Sequence, residues 1–148
     1  MFHVHVTVTL PQSAATVFAA LTDHDNYGQF PGVDEGRVLE PGSDHRNGTG
    51  ALRVVRAGPL VLHERITAYE PDLRMAYRIE RARPLPLKHE GGEIRLTALG
   101  ETSTQVDWVS TGRVAIPVLG PLIDRVFAAK VEPAFRAMLG YIGDGRAA

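Results

Sequence analysis

The sequence predicts an α+β fold: a curved antiparallel sheet of about seven strands wrapped around a long C-terminal helix, with two short helices after strand 1. Three observations carry that reading. Short alternating stretches separated by turn residues fill the middle of the chain, the pattern of an antiparallel meander. One cleanly alternating strand stands alone at the start, and helix signals follow it. The stretch Ile116–Ile142 repeats apolar residues at helical spacing, and it must bury that side somewhere. The concave face of the sheet is the only large surface available to it.

Taken in order, Phe2–Leu10 sets Phe2, Val4, Val6, Val8 and Leu10 on one face and His3, His5, Thr7 and Thr9 on the other. His3 and His5 point the same way, but on the polar face and without a third ligand, so they read as solvated. Pro11 ends the strand, and Ser13 can cap a helix over Ala14–Leu21. Asp23–Phe30 reads as a second short helix or turn, closed by Pro31-Gly32. Val33–Glu40 is the second strand, and Pro41–Gly50 a polar, glycine-rich loop without the lysine of a phosphate loop. Ala51–Ala57, Leu60–Tyr69, Leu73–Arg81, Glu90–Leu99 and Thr104–Arg113 complete the strands. Arg83–Leu87 (RPLPL) reads as a mobile, extended connection, and Gly143–Ala148 as a frayed tail.

The terminal helix opens at Gly120-Pro121, where the missing proline N–H would have no partner anyway. Leu122, Ile123, Val126, Phe127 and Ala129 form a first apolar stripe centred near Val126. Pro133 predicts a kink, after which the stripe continues through Phe135, Met138, Leu139 and Ile142, rotated about a third of a turn. Lys130 falls within the first stripe, as a snorkelling lysine or a cation at a pocket mouth.

Composition narrows function. The 148 residues suit one domain spanning 1–148. There is no cysteine, which excludes disulfides, thiol catalysis and cysteine-ligated metals. The net charge of −1, without a basic patch among aromatics, gives no reason to expect nucleic acid or a membrane surface as partner. No apolar run approaches a membrane span, so no stable membrane insertion is expected. No signal peptide is visible, and a cytoplasmic monomer or homodimer is the expectation.

Strand parity then nominates a site. Leu60, Leu62, Glu64, Ile66 and Ala68 share one face; Met75, Tyr77 and Ile79 share another; so do Val106, Trp108 and Ser110. On Ala51–Ala57, either Arg53 with Val55 or Leu52 with Val54 faces inward. Glu64 is the sharpest residue. A carboxylate between Leu62 and Ile66 must be paired, neutral or facing water. It is either half of an ion pair with an arginine such as Arg53 or Arg78, or a general base or ligand acceptor. Tyr77 and Trp108 suit a core or a pocket wall. His89, before Gly91-Gly92, is the best group for proton transfer near neutral pH, or else an exposed strand-end histidine. His63 should point outward.

The segments VHVTVTLPQSAATVFAALTDHDNYGQFPGV, GTGALRVV, LHERITAYEP, RMAYRI and TSTQVDWVSTGRV, with the closing helix, resemble in order and spacing the START/Bet v 1-like helix-grip superfamily (SRPBCC), in its polyketide cyclase/dehydrase-like branch. The resemblance covers nearly the whole chain. It implies a pocket between sheet and C-terminal helix, without metal or redox cofactor, for a hydrophobic, lipid- or polyketide-like small molecule. On strand parity and the helix stripe its walls would be Arg53, Leu62, Glu64, Ile66, Tyr77, Trp108, Ser110, Val126 and Lys130. The protein would be a carrier or sensor. The alternative is a cofactor-independent polyketide cyclase/dehydratase using Glu64, His89 and Tyr77 for proton transfer, with Arg53 stabilising an enolate. A third reading is an interaction module using the sheet edge or the RPLPL loop.

Overall fold

A computed structural model describes residues 1–148. Seven antiparallel strands form one sheet in the order β1-β7-β6-β5-β4-β3-β2. They are β1 (Phe2–Leu10), β2 (Glu35–Glu40), β3 (Leu52–Ala57), β4 (Leu60–Glu70), β5 (Arg74–Arg83), β6 (Leu87–Gly100) and β7 (Ser103–Val114). Helix α1 (Ala14–Thr22) and a 3-10 segment (His24–Gln29) carry the chain from one sheet edge, β1, to the other, β2. Helix α2 (Gly120–Gly143) packs on β1 and β7. This is the helix-grip arrangement that the sequence predicts.

Local chemistry explains the elements. The Ser13 side chain accepts from the Thr16 N–H and starts α1, as expected of a capping serine. The 3-10 segment lies against β2 because Gly36 has no side chain. A Cβ there would stand 2.3 Å from that of Tyr27. The meander is held by antiparallel ladders, with bulges at His63/Glu64 and Ile66/Ala68 between β4 and β5, and at His89/Gly91 in β6. The RPLPL connection is shorter than predicted: β5 runs to Arg83 and β6 begins at Leu87, so only 84–86 link them.

The terminal helix departs most from expectation. Its inward side is one straight face comprising the buried Asp124, Met138, Leu139 and Ile142 and the half-buried Phe127, Ala128, Val131 and Phe135, spaced as 3.6 residues per turn requires. The stripe does not rotate at Pro133, which lies within the helix on its exposed side. Leu122 and Val126 are 61% and 51% exposed, so the centre of the predicted first stripe points outward and only its edge, Ile123 and Phe127, is half-buried. Asp124 gives the reason. Its carboxylate is buried and accepts the Val114 N–H at 2.7 Å. That bond fixes the rotation of the first turn about its axis and carries Val126 and Lys130 away from the sheet.

Candidate functional site

Between α2 and strands β3–β5 the core does not close. A hollow of 160 Å³ remains, with 14 of its 19 lining residues hydrophobic. A wider groove of 460 Å³ opens on the opposite, convex face, but only three of its ten residues are hydrophobic and it has no enclosing wall of apolar side chains. The interior hollow is therefore the candidate ligand site.

Strand parity built it as predicted on β4, β5 and β7. Leu62 and Glu64, Tyr77 and Ile79, Trp108 and Ser110 all line the hollow. On β3 the open choice resolves to Arg53 with Val55, because Arg53 pairs across the ladder with Glu64. Three expected wall residues are elsewhere. Ile66 is buried in the core further along β4, at 1% exposure. Val126 and Lys130 are on the outer face of α2, for the reason given above. The helix contributes Phe127, Val131, Ala134, Phe135 and Met138 instead. The 3-10 segment and the turn after it add Tyr27 and residues Pro31, Gly32 and Val33. Nothing local in HDNYGQFPGV signals this role, since it arises only when the segment crosses the sheet.

One end of the hollow is polar. Arg53 and Glu64 form a buried ion pair: Nε and Nη2 of Arg53 both lie 2.9 Å from Glu64 Oε1. Arg53 Nη1 donates to His24 Nδ1 at 2.9 Å, so the His24 proton sits on Nε2 and is given to the Asn47 carbonyl, also at 2.9 Å. The guanidinium lies 4.6 Å from the Tyr27 ring centroid and 5.4 Å from that of Tyr77. Burial opposes the Arg53 charge, but Tyr27 and Glu64 outweigh it and raise its pKa. Burial, reinforced by Arg53, holds His24 neutral with a pKa of about 3.

Tyr77 sits over Gly92, with no side chain beneath its ring. Its hydroxyl accepts the Trp108 Nε1–H at 3.0 Å, and burial pushes its pKa up, so it stays a phenol able to donate. Trp108 in turn stacks on Phe135, centroids 3.8 Å apart and planes 8° from parallel. Three polar valences thus remain unused by the protein: the Tyr77 hydroxyl proton, the Ser110 hydroxyl proton and Glu64 Oε2. Two donors and one acceptor face an otherwise apolar hollow.

His89, expected as a proton carrier, lies one layer behind. Beyond Tyr77 and Gly92 the β5–β6 ladder stops. The Ile79 N–H there donates to His89 Nδ1 at 3.0 Å instead of to a carbonyl. The His89 proton therefore belongs on Nε2, which donates to Ser110 Oγ at 2.9 Å. Both ring nitrogens are committed, and burial, reinforced by Arg78, lowers the pKa to about 4. His89 orients the Ser110 hydroxyl and fills a gap in the sheet. Both buried histidines have folded-state pKa values below the unfolded value of about 6.5. The unfolded chain then binds more protons, so stability is full above about pH 6.5 and falls as pH drops toward about 4 for His89 and about 3 for His24. Urea midpoints measured at about pH 7 and about pH 4.5 should show that loss. His89→Gln should cost about 1–2 kcal/mol at neutral pH and weaken the dependence, leaving the part that His24 contributes.

The fold is shared with solved structures. A START superfamily protein from Mycobacterium smegmatis aligns with a TM-score of 0.78 at 19% identity, over 95% of this chain and 96% of that one. The Zhui aromatase/cyclase from Streptomyces sp. R1128 aligns with a TM-score of 0.77 at 25% identity, over 97% of this chain and 92% of that one. A di-domain aromatase/cyclase, BexL, aligns with a TM-score of 0.75 at 17% identity, over 96% of this chain but 46% of its own length. No curated protein sequence matches. No helix is long and apolar enough to cross a membrane. Residues 1–142 match the family described as polyketide cyclase / dehydrase and lipid transport, and the chain belongs to that family.

Proposed function

We propose that the chain binds one small, largely apolar molecule bearing an oxygen function in the hollow between α2 and β3–β5, as a carrier or sensor. The observation that carries this is an apolar cavity with three uncommitted polar groups at one end. A carbonyl or hydroxyl oxygen on the ligand would accept from Tyr77 or Ser110, and a hydroxyl would also donate to Glu64 Oε2, while its body packs on Leu62, Trp108, Phe127 and Val131. Arg53 and Glu64 cancel each other's charge, so the site favours a neutral molecule. Its volume of 160 Å³ suits about one ring; a cavity of about 150 Å³ accepts benzene in another protein. A long lipid or polyketide chain needs more room, and hence movement of α2 or of the Pro31–Val33 turn.

Native mass spectrometry of freshly purified protein tests this reading. We expect a bound small molecule that Val131→Phe, which fills the hollow, displaces. A protein that is always empty, and stays so when offered one-ring phenols or ketones, contradicts it.

The second reading is a cofactor-independent cyclase/dehydratase, favoured by the free Glu64 oxygen beside a buried guanidinium and a phenol. The family's description and the resemblance to an aromatase/cyclase support it. In this reading Glu64 takes the proton and Tyr77 gives one to the carbonyl. With a substrate in hand, Glu64→Gln and Tyr77→Phe should each lower kcat at least about 100-fold. Unchanged turnover in both rules the chemistry out, and a carrier shows lost affinity with no turnover at all.

A further inference from the structure

The outward face of the first half of α2 is apolar where a helix on a sheet should be polar. Val118 is 94% exposed, Leu119 55%, Leu122 61% and Val126 51%. Leu119, Leu122 and Val126 stand on one side of the helix at i, i+3 and i+7. Val118 caps the loop before it with φ 68°, a left-handed conformation unusual for a β-branched residue. That backbone turns its side chain out of the fold.

Cations surround this face. Lys88 and Arg113 share a surface depression with Ile116 and Pro117 at the root of the loop. Arg125 and Lys130 lie on the exposed side of the helix itself. None of these four enters an ion pair. From residue 115 to residue 131 the sole acid is Asp124, and it is 4% exposed. The net charge of −1 for the chain hides this local excess of positive charge.

We propose that this face docks on an anionic lipid bilayer. A protruding apolar tip ringed by basic residues matches the interface layer, where apolar side chains enter the acyl boundary and Lys or Arg meet phosphates. The same helical turns present Phe127 and Val131 to the hollow. Docking thus acts on one of the two walls whose movement would admit a larger apolar occupant. The inference rests on the ligand-carrier reading for its purpose, but the docking surface stands on its own residues.

Co-sedimentation with vesicles tests it. Full-length protein should bind phosphatidylcholine vesicles containing phosphatidylglycerol at least about tenfold better than pure phosphatidylcholine, and high salt should abolish the difference. Leu122→Asp and the pair Lys88→Glu/Arg113→Glu should each reduce that binding about tenfold or more, whereas Arg146→Glu should not. All these positions are exposed, so circular dichroism and binding of p-cresol in solution should match wild type. Equal or absent binding to both vesicle types, or variants that bind like wild type, overturns the proposal while leaving the pocket reading untouched. A wild-type dimer that Leu122→Asp converts to a monomer in sedimentation equilibrium also overturns it, by assigning the face to a second copy. Loss of p-cresol binding with vesicle binding intact overturns only the pocket reading.

Discussion

Replacing Arg53 with alanine should lower the unfolding free energy by about 3–5 kcal/mol, measured by urea denaturation at neutral pH. Arg53 is 2% exposed and engages Glu64, His24 and the rings of Tyr27 and Tyr77 together. Removing it leaves the Glu64 carboxylate buried without a counter-charge and His24 Nδ1 without a donor. It also opens a void beside two aromatic rings. Desolvating two charges is costly in the first place, so the pair itself need not be strongly stabilising. The double variant Arg53→Met/Glu64→Leu should therefore recover most of the loss. A single variant costing under about 1 kcal/mol would show that water already reaches the pair, and that this end of the hollow is not the low-dielectric site argued above.

Gly92→Ala should be nearly as damaging, at about 3 kcal/mol, the upper end of the usual cost of overpacking. The added Cβ would stand 2.2 Å from Cζ of Tyr77 and 2.6 Å from each Cε. The only open space into which the ring can yield is the hollow itself. Its hydroxyl is tied to Trp108, Arg53 lies over one region of it, and the His89 ring stacks 5.7 Å away. Relief moves the phenol into the hollow, so affinity for a one-ring phenol should fall at least about tenfold along with stability. Gly91→Ala is the matched control. Its Cβ meets nothing nearer than the Tyr77 carbonyl oxygen at 4.0 Å, and the change should stay within about 0.5 kcal/mol.

Much of the sheet was legible because strand chemistry is local. Period-two alternation on β4 and β7 placed Glu64, Trp108 and Ser110 inward without knowledge of the partners. On β3 the same logic stalled, since Val54 and Val55 are both apolar and only the cross-strand pairing of Arg53 with Glu64 breaks the tie. The helix misled for a similar reason. The first half of α2 has apolar residues on both sides, and the deciding contact, Asp124 with the Val114 N–H, joins a helix to a strand end that no pattern within the helix reveals. His89 was read by its ordinary pKa, which its burial and two fixed hydrogen bonds override. Tyr27 and His24 reach the site only because 24–29 crosses to the far sheet edge, a property of topology rather than of any motif.

The claim beneath all of this is that the space between α2 and β3–β5 is a ligand site and not a packing fault. Trp108 is the chain's sole tryptophan and lines that space, so its fluorescence reports directly on occupancy. On titration with p-cresol, excited at the red edge of the indole band, the emission should change along a saturable, one-site curve, and Val131→Phe should abolish the change while preserving stability. A response that rises linearly without saturation, or one that persists unaltered when the hollow is filled, would contradict the account.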